Sequence, residues 1–197
     1  NTELMNNLHS VLGDDAFDIG HLFGASGGGG NAGCIGCVCT NVLSTGGGST
    51  NSYKGAGFTS PADGIPQGDT FDIDYVAHEM GHQMGANHTF SHTAENNTVN
   101  VEPGSGTTIM AYAGLGGTGI DIQLHSDDYF AYKSIAQIQA NMNTKTCPIS
   151  YNSTTNPAFT NTKPNVSAGL DYTIPISTAF KLVGTASDSD GEVLSYC

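Results

Sequence analysis

A length of 197 residues suits one domain, or one domain with a small piece of another. Five Lys and no Arg face 18 Asp plus Glu, for a net charge of −13, which argues against nucleic acid and anionic lipid as partners, since both need basic patches. The 27 glycines cluster, as at 27–30 and 46–48, without a three-residue period, which excludes a collagen and leaves a surface made polar by Asn, Ser, Thr and Gly.

The first residues, Asn-Thr-Glu-Leu-Met, carry neither the basic nor the apolar region of a signal peptide, so the chain reads as a processed or excised fragment. No apolar run approaches the ~20 residues of a membrane helix. Residues 1–12 place Leu4, Leu8 and Val11 at helical spacing. Phe17, Ile19, His21 and Phe23 alternate with Asp18, Gly20 and Leu22, the pattern of a strand. Residues 24–33 read as a Gly-rich loop at the rim of a cleft; without GK[ST] or a following helix it is no phosphate loop. Residues 34–43 read as a buried strand, 44–52 as a second loop, and 56–59 as a short strand ended by Ser60-Pro61. The clearest helix spans 69–84, with Asp69 or Thr70 as cap, Asp72 and Asp74 near its positive end, and Gly85 as its stop. A second helix is expected over 127–142, with Phe130, Ile135, Ile138 and Met142 on one face. Residues 151–164 read as a linker, and 165–197 as strand-like pieces beginning a β-sandwich, too few to close one.

The chemistry lies in His78-Glu79-Met80-Gly81-His82-Gln83-Met84-Gly85-Ala86-Asn87-His88. Positions i and i+4 share a helix face, so His78 and His82 can point at one metal. Gly85 can turn the chain through positive φ and bring His88 back as a third ligand. Three neutral imidazoles leave one position open, as a catalytic zinc requires, and Glu79 can reach a zinc-bound water as its base without being a ligand. HExxH alone recurs by chance; HExxHxxGxxH on a helix that ends at its Gly is specific.

This motif resembles that of the metzincin zinc metalloproteases. Those enzymes carry a downstream turn whose Met underlies the zinc, and Met110, in Thr108-Ile109-Met110-Ala111-Tyr112, matches it. The order of elements resembles the reprolysin (adamalysin-like) branch, while Thr89 after the third His looks more like pappalysins or bacterial reprolysin-like secreted proteases. The resemblance covers about residues 1–150. It implies an α+β catalytic domain: a twisted mixed sheet, active-site helix, Met-turn and C-terminal helix. The strand at Phe17–Phe23 would be the substrate-binding edge. Several strands and a long helix that open such domains have no counterpart, so the N-terminal part is expected to be missing. Residues 165–197 would then be a partial Ig/PKD-like module.

The resemblance also implies a disulfide between Cys39 and Cys147. Cys34 and Cys37 read as a small local disulfide, with free thiols or a zinc site as alternatives, and Cys197 is left over. Tyr112 matches a tyrosine that some metzincins place beside zinc, where it could donate to a developing oxyanion; packing under the cleft wall is the other reading. Asp18 matches a family carboxylate that binds calcium, and a solvated Asp is its plain alternative. The Asp-rich turn 187–192 reads as a calcium loop or an ordinary turn. His9, His21, His92 and His125 lack ligand spacing and read as surface or packing residues.

The expected function is therefore a secreted zinc endopeptidase, in which Glu79 activates a zinc-bound water to hydrolyse peptide substrates. Acidic net charge favours basic or neutral peptides. Two alternatives stand beside it. One is a hydrolase with two His and Glu95 or Glu102 as third ligand. The other is an inactive protease-like module of a cell-surface adhesion protein, against which an intact Glu79 speaks.

Overall fold

The computed structural model describes residues 2–41, 53–95, 97–148 and 162–194. The chain forms two compact units, Asn1–Pro148 and Ile149–Cys197.

In the first unit, α1 spans Thr2–Val11. Its buried contact is Met5, with Leu8 laid against Gly20 and Gly55, where a Cβ would collide. Val11, expected on the inner face, is 77% exposed, so that face is centred nearer Met5 and Leu8. Three strands follow: β1 (His21–Phe23), β2 (Gly29–Asn31) and β3 (Gly57–Ser60). They lie in the order β1-β3-β2. β1 runs parallel to β3, pairing His21 with Gly57, and β2 runs antiparallel to it, pairing Gly30 with Thr59. The expected strand at 17–23 thus shrinks to three residues, and the expected loop at 24–33 contains a strand. Residues 34–41 are turns rather than a buried strand. Gly33 and Gly36 take φ of 75°, and Cys34 and Cys37 are joined across a separation of 3, which folds the chain back too tightly for extended backbone.

The helix that carries the HExxH motif begins as a π-wound stretch, Thr70–Ala77, and continues as α2, His78–Met84. Asp69 stands at the N-cap position but its side chain caps nothing. Gly85 ends the helix at φ 122°, donating to the carbonyls of Gly81 and His82. Helix ends leave carbonyls without partners. Here Gly36 N–H donates to His82 O at 2.8 Å, Val38 N–H to Gln83 O at 3.0 Å, and Asn141 Nδ2 to Met84 O at 2.7 Å. The turn segment therefore clasps the end of α2.

α3 spans Tyr132–Met142, later than the expected start because Ala131, at ψ 153°, is still extended. Ile138 and Phe130 pack onto the core of Ala86, Ile109 and Met110, together with Ile73 and Ala77. Ile135, expected on the same face, is 45% exposed. Cys39 and Cys147 are bonded, with Cα atoms 5.9 Å apart across a separation of 108.

The second unit contains β4 (Asn165–Ser167) and β5 (Thr185–Ser187), an antiparallel pair that aligns Val166 with Ala186. Of the strand-like pieces expected over 165–197, those at 171–176 form no strand among the described residues, and of 179–186 only the end is extended. Most of the expected linker, and Cys197, lie outside the described residues.

Candidate metal centre

Three imidazoles meet at one point. His78 and His82 rise from one face of α2, and the turn at Gly85 returns His88 toward them. The Nε2 of His88 lies 2.9 Å from that of His82 and 3.2 Å from that of His78. The opposite nitrogens are committed elsewhere. His78 Nδ1 stands 2.7 Å from Ile109 O, and His82 Nδ1 2.7 Å from Ala86 O. A carbonyl only accepts, so each Nδ1 carries the hydrogen, and each neutral ring turns a bare lone pair inward. Both rings stay neutral: burial, then the neighbouring histidines, lowers His78 to about 3, and burial, then His88, lowers His82 to about 4. Lone pairs cannot satisfy one another at such distances. A cation can, and three imidazole nitrogens suit zinc.

Glu79 stands beside this point under β2. Burial raises its carboxyl to about 7, against which one backbone bond from Ala32 pulls downward. β2 can come this close because it has no side chain there: a Cβ on Gly30 would lie 2.5 Å from Glu79 Cγ and 2.7 Å from Cδ. The cleft-facing edge is thus Gly29–Asn31, which corrects the expectation placed on Phe17–Phe23. A cleft of about 490 Å³ is lined by Gly30 to Ile35, the three histidines, Glu79, Glu95 and Tyr112. A second cavity of about 390 Å³ shares Gly30, His78, Glu79 and Tyr112, and is walled by Tyr75, Ala111, Ala113, Leu115 and Leu124.

Met110 is fully buried beneath α2, and a Cβ on Gly81 would meet its Sδ at 2.5 Å. The Gly inside the motif therefore admits the Met under the histidines. The Tyr112 ring lies 4.4 Å from that of His88 and 5.6 Å from that of His78. Burial, then Glu95 and Glu79, raises its pKa, so the hydroxyl remains a donor.

The other candidates fall elsewhere. Asp18 is exposed, with its carboxylate within 4.8 Å of the sulfurs of Cys39 and Cys147, and its carbonyl accepts from Cys39 N–H. His92 faces Gly104 O, His125 pairs with Asp74 and His9 with Asp14. In the 187–192 turn, Asp188 accepts from Asp190 N–H at 2.7 Å, a local turn bond. Neither carboxylate weighed as an alternative third ligand is placed as one: Glu95 meets Nδ1 of His88, the far side of the ring, and Glu102 is engaged by threonines.

Gln83 has no sequence signal, and Glu102 and Glu95 enter from the sequence only as alternative third ligands. Gln83, fully buried, receives His21 at 2.8 Å and donates to Gly20 O, tying α2 to the sheet; Thr59 holds the other His21 nitrogen at 2.6 Å. Glu102 accepts from Thr107 and Thr108 N–H, both at 2.9 Å, from Thr108 Oγ1 at 2.6 Å, and from Thr89 Oγ1. It bridges the residue after His88 to the turn that carries Met110. An acid flanked by hydroxyl residues at changing spacing was the available signal for Glu102, and no periodicity points to it.

Two histidines on α2 and a third returned by the turn at Gly85, with Glu79 adjacent and Met110 buried below, form a group that could hold a metal ion. Comparison with protein families matches residues 1–146 to metallo-peptidase family M12B, reprolysin-like, and the chain belongs to that family. The family is zinc-dependent and acts on proteins. No curated protein and no solved structure gave a match. Among the described residues no helix is long and apolar enough to cross a membrane.

Proposed function

We propose that the chain is a secreted zinc endopeptidase, with zinc held by Nε2 of His78, His82 and His88 and with Glu79 as the base. The observation that carries this is the convergence of the His78, His82 and His88 imidazole nitrogens beside the Glu79 carboxyl, which burial raises to about 7. Zinc, when bound, supplies a Lewis acid that acidifies water and polarises the scissile carbonyl. Glu79 takes the proton of the attacking water and passes it to the leaving amine. Tyr112 donates its hydroxyl hydrogen to the carbonyl oxygen as charge develops there. β2 stands at the end of the strand order β1-β3-β2, where an extended substrate can lie alongside it. Met110 acts as the floor of the site.

Two disulfides, Cys34–Cys37 and Cys39–Cys147, support an extracellular, oxidising location. The family likeness alone suggests calcium at Asp18: its neighbours, the sulfurs of the Cys39–Cys147 bridge, are not ligands for a cation that takes oxygen. We read residues 1–150 as the catalytic domain, 151–164 as a linker and 165–197 as the start of a sandwich module, to which the β4–β5 pair would belong. Casein cleavage is the test. The reading requires cleavage that a chelator abolishes and zinc restores; cleavage indifferent to chelation would refute it.

A further inference from the structure

The three histidines are not held alike. His78 and His82 are buried, and each Nδ1 is fixed by a backbone carbonyl close to α2 or beneath it. His88 lies beyond the helix, and among the described residues no carbonyl meets its Nδ1. Both oxygens of Glu95 do, at 2.9 and 3.1 Å. The ring of His88 is stacked on Phe90, with centroids 5.0 Å apart at 25°, and tilted on Tyr112. Stacking fixes the plane of the ring. It does not distinguish a ring from the same ring flipped about χ2, nor one tautomer from the other. Either change would remove the Nε2 lone pair from the meeting point. A hydrogen bond at Nδ1 selects against both.

We propose that Glu95 is the positioning residue of the third ligand: its carboxylate fixes the Nδ1–H tautomer and the flip state of His88, and places a negative charge behind the one histidine that lacks a carbonyl partner. This rests on the zinc reading above. A carboxylate behind a ligating imidazole increases its basicity, and a charge-assisted bond is roughly twice as strong as a neutral one. The Glu95 side chain is 37% exposed, which weakens the charge effect but leaves tautomer selection intact. Glu95 does not compete as a ligand, because it stands on the side of the ring opposite Nε2.

The test uses the whole chain freed of metal. Zinc is titrated against a competing chelator, and imidazole ¹⁵N shifts report the His88 tautomer. Glu95→Gln keeps an acceptor oxygen without the charge, and Glu95→Leu removes both. Outer-shell partners of ligating histidines are worth about 10–100-fold in metal affinity; the Leu variant should lie near the upper end of that range and the Gln variant near the lower. In the metal-free Leu variant His88 should show mixed tautomers, while metal-free melting stays that of the wild type. A Gln variant that binds zinc within about twofold of wild type overturns the proposal, as does a Leu variant with an unchanged His88 tautomer; the 10-fold lower bound makes twofold decisive. Should the Leu variant fail to fold, the Gln variant alone decides. A wild-type chain that takes up no zinc would sink the zinc reading instead, so the two failures are distinguishable.

Discussion

Glu79, on the first turn of α2, and Glu102, in the segment leading to Met110, are both carboxylates drawn out of water, and they end in opposite states. Burial raises Glu79 to about 7, with a single backbone bond from Ala32 opposing it. Burial pushes Glu102 upward too, but bonds from Thr108, Thr89 and Thr107 outweigh it and hold the carboxyl below 4.5. Depth alone therefore does not set the role. A carboxylate short of donors is ready to take a proton, and one supplied with donors is a brace.

Removing each carboxylate should show that division, and the largest effect belongs to Glu79. Glu79→Gln should lower peptidase activity by about 10²–10⁴-fold while zinc content and melting hold, since ligands and shape remain. His88→Ala should lose the metal itself. Zinc loss in the Gln variant would mean that Glu79 is a ligand and the division is misdrawn.

Both carboxylates lie inside the loop closed by Cys39 and Cys147. Opening that loop should cost about 4–5 kcal/mol in the chain-entropy model, read as a lower denaturant midpoint for Cys39→Ser with Cys147→Ser. Hydrogen exchange should show both regions weakened together. Peptide mapping that joins Cys147 to Cys34 or Cys37 would contradict the pairing.

Glu102→Ala should act on stability more than on chemistry. It strands donors of Thr89, Thr107 and Thr108. Partial exposure limits the cost to about 1–3 kcal/mol. Because the folded pKa of Glu102 lies below 4.5, its stabilisation is fully present above that pH and is lost as pH falls through the folded value. Acid unfolding of the wild type should carry this component, and Glu102→Gln should lack it. Equal acid slopes in the two proteins would break the contrast.

The smallest effect is expected at Gly30. Gly30→Ala should force Glu79 aside at about 1 kcal/mol of overpacking, with kcat falling more than melting temperature. An unchanged kcat would mean that β2 has room to retreat.

Much of the site was legible because its chemistry is local. His78, Glu79, His82 and His88 share one helix and its turn, and 3.6-residue geometry places them without knowledge of the fold. Gly85, at φ 122°, announces itself for the same reason. Elements that act through missing side chains were not legible. β2 is Gly-Gly-Asn, with no alternation to read, whereas alternation marks Phe17–Phe23, where the resemblance puts the cleft edge. No Gly or Pro marks the π-wound stretch Thr70–Ala77. Residues whose partners lie far off in sequence were invisible as well. Gln83 finds His21 at a separation of 62, and Glu102 finds Thr89 at 13. Such contacts belong to tertiary structure, and one sequence carries no periodic trace of them.

Whether a zinc ion sits on three imidazoles can be read from X-ray absorption at the zinc edge. The spectrum should show one zinc per chain with three nitrogen scatterers at about 2.0–2.1 Å and one oxygen, lost when any of His78, His82 or His88 becomes Ala. A sulfur scatterer at about 2.3 Å, or a first shell containing His92 or the carboxylate of Glu95 or Glu102 in place of His88, would contradict it.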